Sequence, residues 1–106
     1  MDIEFKDEEL QDLYEGRKIR NKKLLSNQQL VKQYIKTVNT LRALSQFEEI
    51  YKFAGLNYEA LQGNYQGFSS VRINQQYRLI FEEIREDIEP FQVKIIAITE
   101  ISNHYS

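Results

Sequence analysis

The stretch LQGNYQGFSSVRINQQYRLIFEE, Leu61–Glu83, decides the fold, because its apolar residues recur with period two on either side of a polar turn. Val71 and Ile73 on the first arm must share a buried face with Tyr77, Leu79 and Phe81 on the second if the hairpin is to feed one core. That condition requires a three-residue connection, Asn74-Gln75-Gln76, pairing Ile73 with Tyr77 and Arg72 with Arg78. A two-residue turn would bring Arg72 onto the apolar face, so burial sets the register. Arg72 and Arg78 are then expected opposite each other, on the sheet face away from the helices. Like charges paired across strands repel, by roughly 3 kcal/mol at about 5 Å and an effective dielectric of about 20, less whatever splaying in water relieves. Two readings follow. Either Glu59, Glu82 or Glu100 neutralises the pair in a surface lattice, or the pair forms a cleft for an anion such as phosphate, which the planar guanidinium fork fits.

Working outward, the segment DIEFK alternates Ile3 and Phe5 and predicts a short first strand. DEELQDLYEG has Leu10, Leu13 and Tyr14 at helical spacing, acids in its first turn and Gly16 as a stop. A basic linker, RKIRNKKLL, follows. Ser26 is the expected cap of a longer helix through Leu30, Tyr34, Val38, Leu41 and Leu44, and Ser45–Glu48 matches a capping box for one more turn. From Asn57 the period changes from 3.6 to 2: NYEALQ, FSSVRI, YRLIFEEI and FQVKIIAITEI read as strands, with Gly63 and Gly67 bracketing a turn. The expected fold is α+β, an N-terminal strand and two helices packed on one face of a twisted antiparallel sheet, in a single domain over residues 1–106.

Composition narrows the function. No cysteine and a single histidine, His104, argue against disulfides and a zinc site, and nothing else calls for a cofactor. No apolar run approaches the ~20 residues that span a bilayer, and MDIEFKDEEL lacks a basic-then-apolar leader pattern, so a cytoplasmic protein without a membrane partner is expected. The net charge of −2 conceals a segregation: residues 1–15 hold seven acids and one base, whereas residues 16–47 hold eight bases and no acid. A basic block of this kind either faces a polyanion or is a solvated helix face answered by acids elsewhere.

The segment LNYEALQGNYQGFSSVRINQQYRLIFEE and the closing ITEISNHY resemble the HigB-like toxins of the RelE/ParE superfamily. The spacing from the glycine pair through R-I-N to Y-R-L carries the resemblance, which spans most of the chain. It implies the compact toxin fold and the toxin of a type II toxin–antitoxin pair, acting in the cytoplasm. It further implies a ribosome-dependent mRNA endoribonuclease that inhibits translation by attack of a ribose 2′-OH on the neighbouring phosphate, without a metal. The implied partners are the ribosome and its mRNA, and a cognate helix-turn-helix antitoxin through which the complex reaches operator DNA.

Carried over by position, Arg78 falls on the family's strand arginine, which stabilises the phosphate as charge develops. His104 and Tyr105 fall at the family's C-terminal catalytic histidine or tyrosine. Glu59 stands near a position that is histidine in some relatives, and it serves as a general base where burial raises its pKa. Arg72 is the expected second phosphate contact, and Arg17, Lys18, Arg20, Lys22 and Lys23 are expected against RNA. Gln62 departs from the pattern: it stands where the family has lysine, leaving a hydrogen-bonding but uncharged RNA contact. That departure keeps two alternatives open, a non-catalytic inhibitor such as the ParE-like gyrase poisons, and a degenerate antitoxin-binding module.

Overall fold

The chain, described over residues 1–103 by a computed structural model, opens with strand β1 (Asp2–Phe5) and helix α1 (Glu8–Tyr14). The Asp7 carboxylate accepts from the Glu9 and Leu10 amides at 2.8 and 3.3 Å, capping α1, while Glu8 and Glu9 sit at the positive end of its dipole. Gly16, at φ +79°, ends it in the left-handed conformation a side chain would resist.

The basic linker is shorter than expected. Its second half forms helix α2 (Lys22–Ser26), capped by Asn21, and helix α3 (Gln28–Arg42) follows at once, capped by Asn27 rather than Ser26. Each asparagine Oδ1 accepts the amide three residues on, at 3.1 Å, and the Ser26 hydroxyl donates instead to the Lys23 carbonyl. The capping box beyond α3 likewise sits one residue later than expected. Glu49 reaches back to the Ser45 and Gln46 amides at 2.6 and 3.2 Å and starts the 3₁₀ turn Phe47–Lys52. A second 3₁₀ turn, Ala54–Leu56, leads to Asn57, itself left-handed at φ +48°.

Strands β2 (Glu59–Ala60), β3 (Phe68–Arg72), β4 (Arg78–Arg85) and β5 (Val93–Ser102) complete a five-stranded sheet in the order β1-β5-β4-β3-β2. β1 lies parallel to β5 and the other pairs are antiparallel, so the sheet is mostly rather than wholly antiparallel. The hairpin register follows the burial argument. Arg72 pairs with Arg78, and the Ile73 amide donates to the Tyr77 carbonyl at 3.0 Å. Asn74 Oδ1 closes the three-residue turn by accepting the Gln76 and Tyr77 amides, each at 2.8 Å.

One sheet face carries Val71, Leu79, Phe81, Ile96 and Ile98, all fully buried against Tyr34, Val38 and Leu41 of α3. Burying an aliphatic side chain of this size contributes about 1.5–3 kcal/mol, so this layer holds the helices to the sheet. The Tyr34 hydroxyl crosses the core and donates to the Leu10 carbonyl at 2.7 Å, tying α3 to α1. On the other face the alternation sets Ser70, Arg78, Ile80 and Ser102, and all four are buried. A one-residue shift in the β4–β5 ladder between Ile80 and Phe81 skips Thr99, whose hydroxyl donates to the Ile80 carbonyl at 3.0 Å. The bulge puts Ile98 opposite Phe81 on the core face, while Ser102 stays opposite Arg78 on the other.

Candidate active site

Arg78 opens β4 with its side chain only 4% exposed, although an open sheet face was expected for it. Taking a guanidinium out of water costs several kcal/mol unless its N–H groups are used. Here Nε donates to Ser70 Oγ at 2.8 Å and Nη2 donates to the Asn57 carbonyl, with Glu59 Oε2 at 3.8 Å from Nη2. The planar group is thereby fixed along one edge. Among the described residues these bonds run through Nε and Nη2, which leaves Nη1 as the donor pair for a ligand. Burial draws the Arg78 pKa below the ordinary arginine value, Glu59 opposes that, and the nearby Arg72 charge adds to the lowering. The residue stays cationic, since arginine starts so high.

Its counterpart across the strand pair behaves differently. Arg72 is exposed, and among the described residues no carboxylate lies within ion-pair distance of it. The like-charge repulsion is relieved by Arg78 turning to Asn57 and Glu59. Glu59 is itself exposed, at 61% of its side chain, so the burial on which its general-base role was expected to depend is absent.

The segment that holds Arg78 is anchored from the opposite face. Tyr58 points to the core side, where its hydroxyl donates to the Glu83 carboxylate and shares a 3.2 Å hydrogen bond with Ser69. Ser69 donates to the same Glu83 oxygen at 2.6 Å. Burial first, and the bond to Glu83 second, push the Tyr58 hydroxyl above its ordinary pKa, so it remains a donor. With Tyr58 held inward, Asn57 and Glu59 on either side of it are held at Arg78. The result is a preorganised cation beside a second, exposed cation and one carboxylate, an arrangement suited to a phosphate whose charge rises during reaction.

A family model described as the RelE-like toxin of the type II toxin–antitoxin system HigB matches residues 3–92 of the chain. The chain belongs to the HigB-like toxins. Over 82 residues it is 34% identical to Toxin HigB-1 of Vibrio cholerae serotype O1, a match covering 77% of this chain and 83% of that one. The YoeB/ParE toxin from Agrobacterium tumefaciens superposes with a TM-score of 0.56 at 19% identity, over 99% of this chain and 100% of that one. A chain of the YoeB–YefM complex from Staphylococcus aureus does so with a TM-score of 0.51 at 24% identity, over 99% and 98%. These structures carry the fold: an N-terminal strand and helices on a five-stranded, mostly antiparallel sheet, as the resemblance to the RelE/ParE superfamily implied.

In this HigB-like toxin the structure brings Arg72, Arg78 and Glu59 together, and the other candidates among the described residues fall elsewhere. Gln62 is exposed in the loop after β2, just before the 3₁₀ turn Gly63–Tyr65. Arg17 forms ion pairs with Asp12 at 3.3 Å and Glu15 at 2.9 Å while its side chain stays 66% exposed. Lys18 and Arg20 share a cleft of about 440 Å³ with Glu8, Glu9 and Asp12. Lys22 and Lys23 ride on α2, and Lys23 reaches a small cleft with Tyr77 and Asn103, next to the start of β4. His104 and Tyr105 lie outside the described residues. No helix among the described residues is long and apolar enough to cross a membrane.

Sequence reasoning missed Ser70 and Asn57, the two residues that orient Arg78. Ser70 had a signal, being two residues from Arg72 on the same strand face. Asn57 carried only a weak one, as the residue type after glycine that best tolerates a left-handed backbone.

Proposed function

We propose that this HigB-like toxin is a ribosome-dependent mRNA endoribonuclease, and that Arg78 and Arg72 hold the scissile phosphate. The observation that supports this most is the buried guanidinium of Arg78, fixed by Ser70 and Asn57 through Nε and Nη2, with the Nη1 donors not engaged among the described residues. A cation held this way needs no reorganisation when charge builds on a phosphate, which is where most electrostatic catalysis comes from.

In the proposed reaction, the ribose O2′ forms a bond to phosphorus as the bond from phosphorus to the 5′ oxygen breaks. The 2′-OH proton passes to Glu59 or His104, and the departing 5′ oxygen takes a proton from His104 or Tyr105. The products are a 2′,3′-cyclic phosphate and a 5′-hydroxyl, and the two arginines carry the extra negative charge between them.

A toxin of this family acts in the cytoplasm, on the ribosome and its mRNA, and is neutralised by a protein antitoxin with a helix-turn-helix domain that alone touches operator DNA. The YoeB–YefM toxin–antitoxin complex from Staphylococcus aureus supports a protein antitoxin as the partner. Gln62, neutral where the family has lysine, favours one second reading, inhibition by binding alone in the manner of a gyrase poison. Induced expression without antitoxin separates the two. The ribonuclease reading expects growth arrest with mRNA cut at ribosome-occupied codons, lost in Arg78→Ala. Arrest with intact mRNA and DNA breaks at gyrase sites overturns it.

A further inference from the structure

A cleft of about 500 Å³ opens between α3 and the 3₁₀ turn Ala54–Leu56, and Arg72 forms part of its wall. We propose that this cleft is a nucleotide subsite, holding the RNA nucleotide next to the scissile phosphate, with Phe53 stacking on the base, Lys36 on that nucleotide's own phosphate, and Arg72 at the boundary with the scissile phosphate. The proposal rests on the ribonuclease reading above and assigns residues that reading does not use.

Five features of the cleft point the same way. Among the described residues its charged lining consists of two cations, Lys36 and Arg72, with no carboxylate, in a chain that is acidic overall. Phe53 stands at its edge 47% exposed, and a half-exposed ring beside cations is what single-stranded RNA recognition uses. The Thr40 hydroxyl donates to the Lys36 carbonyl at 2.9 Å and keeps acceptor capacity for a base edge. Gln33, whose Oε1 accepts from Asn74 at 2.8 Å, keeps its amide N–H groups as donors. The size is that of a small-ligand site rather than a packing defect.

Continuity with the active site decides the assignment. The cleft wall Ala54–Leu56 runs directly into Asn57, whose carbonyl holds the Arg78 guanidinium, and Arg72 is both a wall residue and the strand partner of Arg78. A chain with one phosphate at Arg78 therefore meets Arg72 and then the cleft as it continues. Lys36 and Phe53 lie far apart in sequence and in different elements, so only the fold makes them neighbours of the site.

The test uses the full chain and a 2′-O-methyl trinucleotide, which keeps the phosphates and bases and resists 2′-OH attack. Titration followed by NMR is expected to move the Thr40 and Gly55 amides together with those around Arg78. Phe53→Ala should weaken binding roughly tenfold, with recovery in Phe53→Tyr, as a stacking ring requires. Lys36→Ala should lower the salt dependence of binding by about one phosphate contact. On programmed ribosomes the Lys36→Ala, Phe53→Ala double variant should raise KM and leave kcat near its starting value. Both side chains are exposed at the surface, so neither change threatens the core. Shifts confined to Arg72 and Arg78, with wild-type affinity and cleavage in the double variant, overturn the subsite and leave the ribonuclease reading standing. Absence of trinucleotide binding together with intact mRNA overturns both.

Discussion

Replacing Arg78 by alanine tests two consequences of its burial at once. On the stability side, the change removes two charge-assisted hydrogen bonds, to Ser70 and to the Asn57 carbonyl, each contributing about 1.5–3 kcal/mol before desolvation is counted. The guanidinium also stops paying its own dehydration, several kcal/mol, so the two largest quantities nearly cancel. What does not cancel is the fully buried Ser70 hydroxyl left without its partner, about 1–3 kcal/mol, and the space left by the side chain. The Glu59 pair adds little, because that carboxylate is 61% exposed and screened. The expected loss is about 2–4 kcal/mol, which lowers Tm by about 10 °C or more in a domain of this size. On the catalytic side, loss of a preorganised donor costs about 3 kcal/mol of transition-state stabilisation, roughly a hundredfold in rate. Arg78→Met separates the two effects. It fills the space without a buried charge, so it should recover most of the stability and none of the cleavage. Denaturant titration and single-turnover cleavage on programmed ribosomes read the two axes. Arg78→Ala melting and cutting like the wild type would refute the reasoning, and so would Arg78→Met retaining activity.

Arg72→Ala should be nearly as damaging to cleavage as Arg78→Ala while leaving Tm unchanged, because Arg72 is exposed and unpaired among the described residues; Gln62→Lys should raise the rate or partly rescue Arg72→Ala in the same assay. Burial raises the hydroxyl pKa of both Tyr34 and Tyr58 above the ordinary tyrosine value of about 10. A raised acid contributes stability that is fully present below its unfolded pKa and is lost as pH rises through the folded one, so denaturation midpoints should hold up to about pH 10 and fall above it. Tyr34→Phe plus Tyr58→Phe should flatten that alkaline limb. Tyr58→Phe alone, by freeing the Asn57–Glu59 segment, should increase amide exchange there and lower cleavage through positioning rather than chemistry.

The hairpin was legible in the sequence because one constraint determined it. Val71, Ile73, Tyr77, Leu79 and Phe81 cannot share a face unless Asn74-Gln75-Gln76 forms the whole turn, and the Arg72–Arg78 pairing follows. The burial of Arg78 was not legible, since it depends on Asn57 adopting a left-handed backbone and swinging its carbonyl over the sheet. Helix α2 was hidden for a different reason. Its five residues bury nothing, so no apolar period marks it, and asparagine caps at both ends supply its definition. The parallel pairing of β1 with β5 joins opposite ends of the described chain, and alternation within either strand carries no information on direction. Of the candidate site, the Arg72–Arg78 juxtaposition followed from the hairpin register, whereas Ser70 and Asn57, which meet the Arg78 side chain through tertiary approach, were not picked out.

The measurement closest to the central claim uses purified toxin and ribosomes programmed with two mRNAs, one all-ribose and one with a single 2′-deoxy residue at the nucleotide whose 2′-OH would attack. The account predicts cleavage of the all-ribose message to a 2′,3′-cyclic phosphate and a 5′-hydroxyl, no cleavage at the deoxy position, and none of either message by Arg78→Met. Cleavage that ignores the missing 2′-OH, or an all-ribose message left intact by the wild-type toxin, would contradict it.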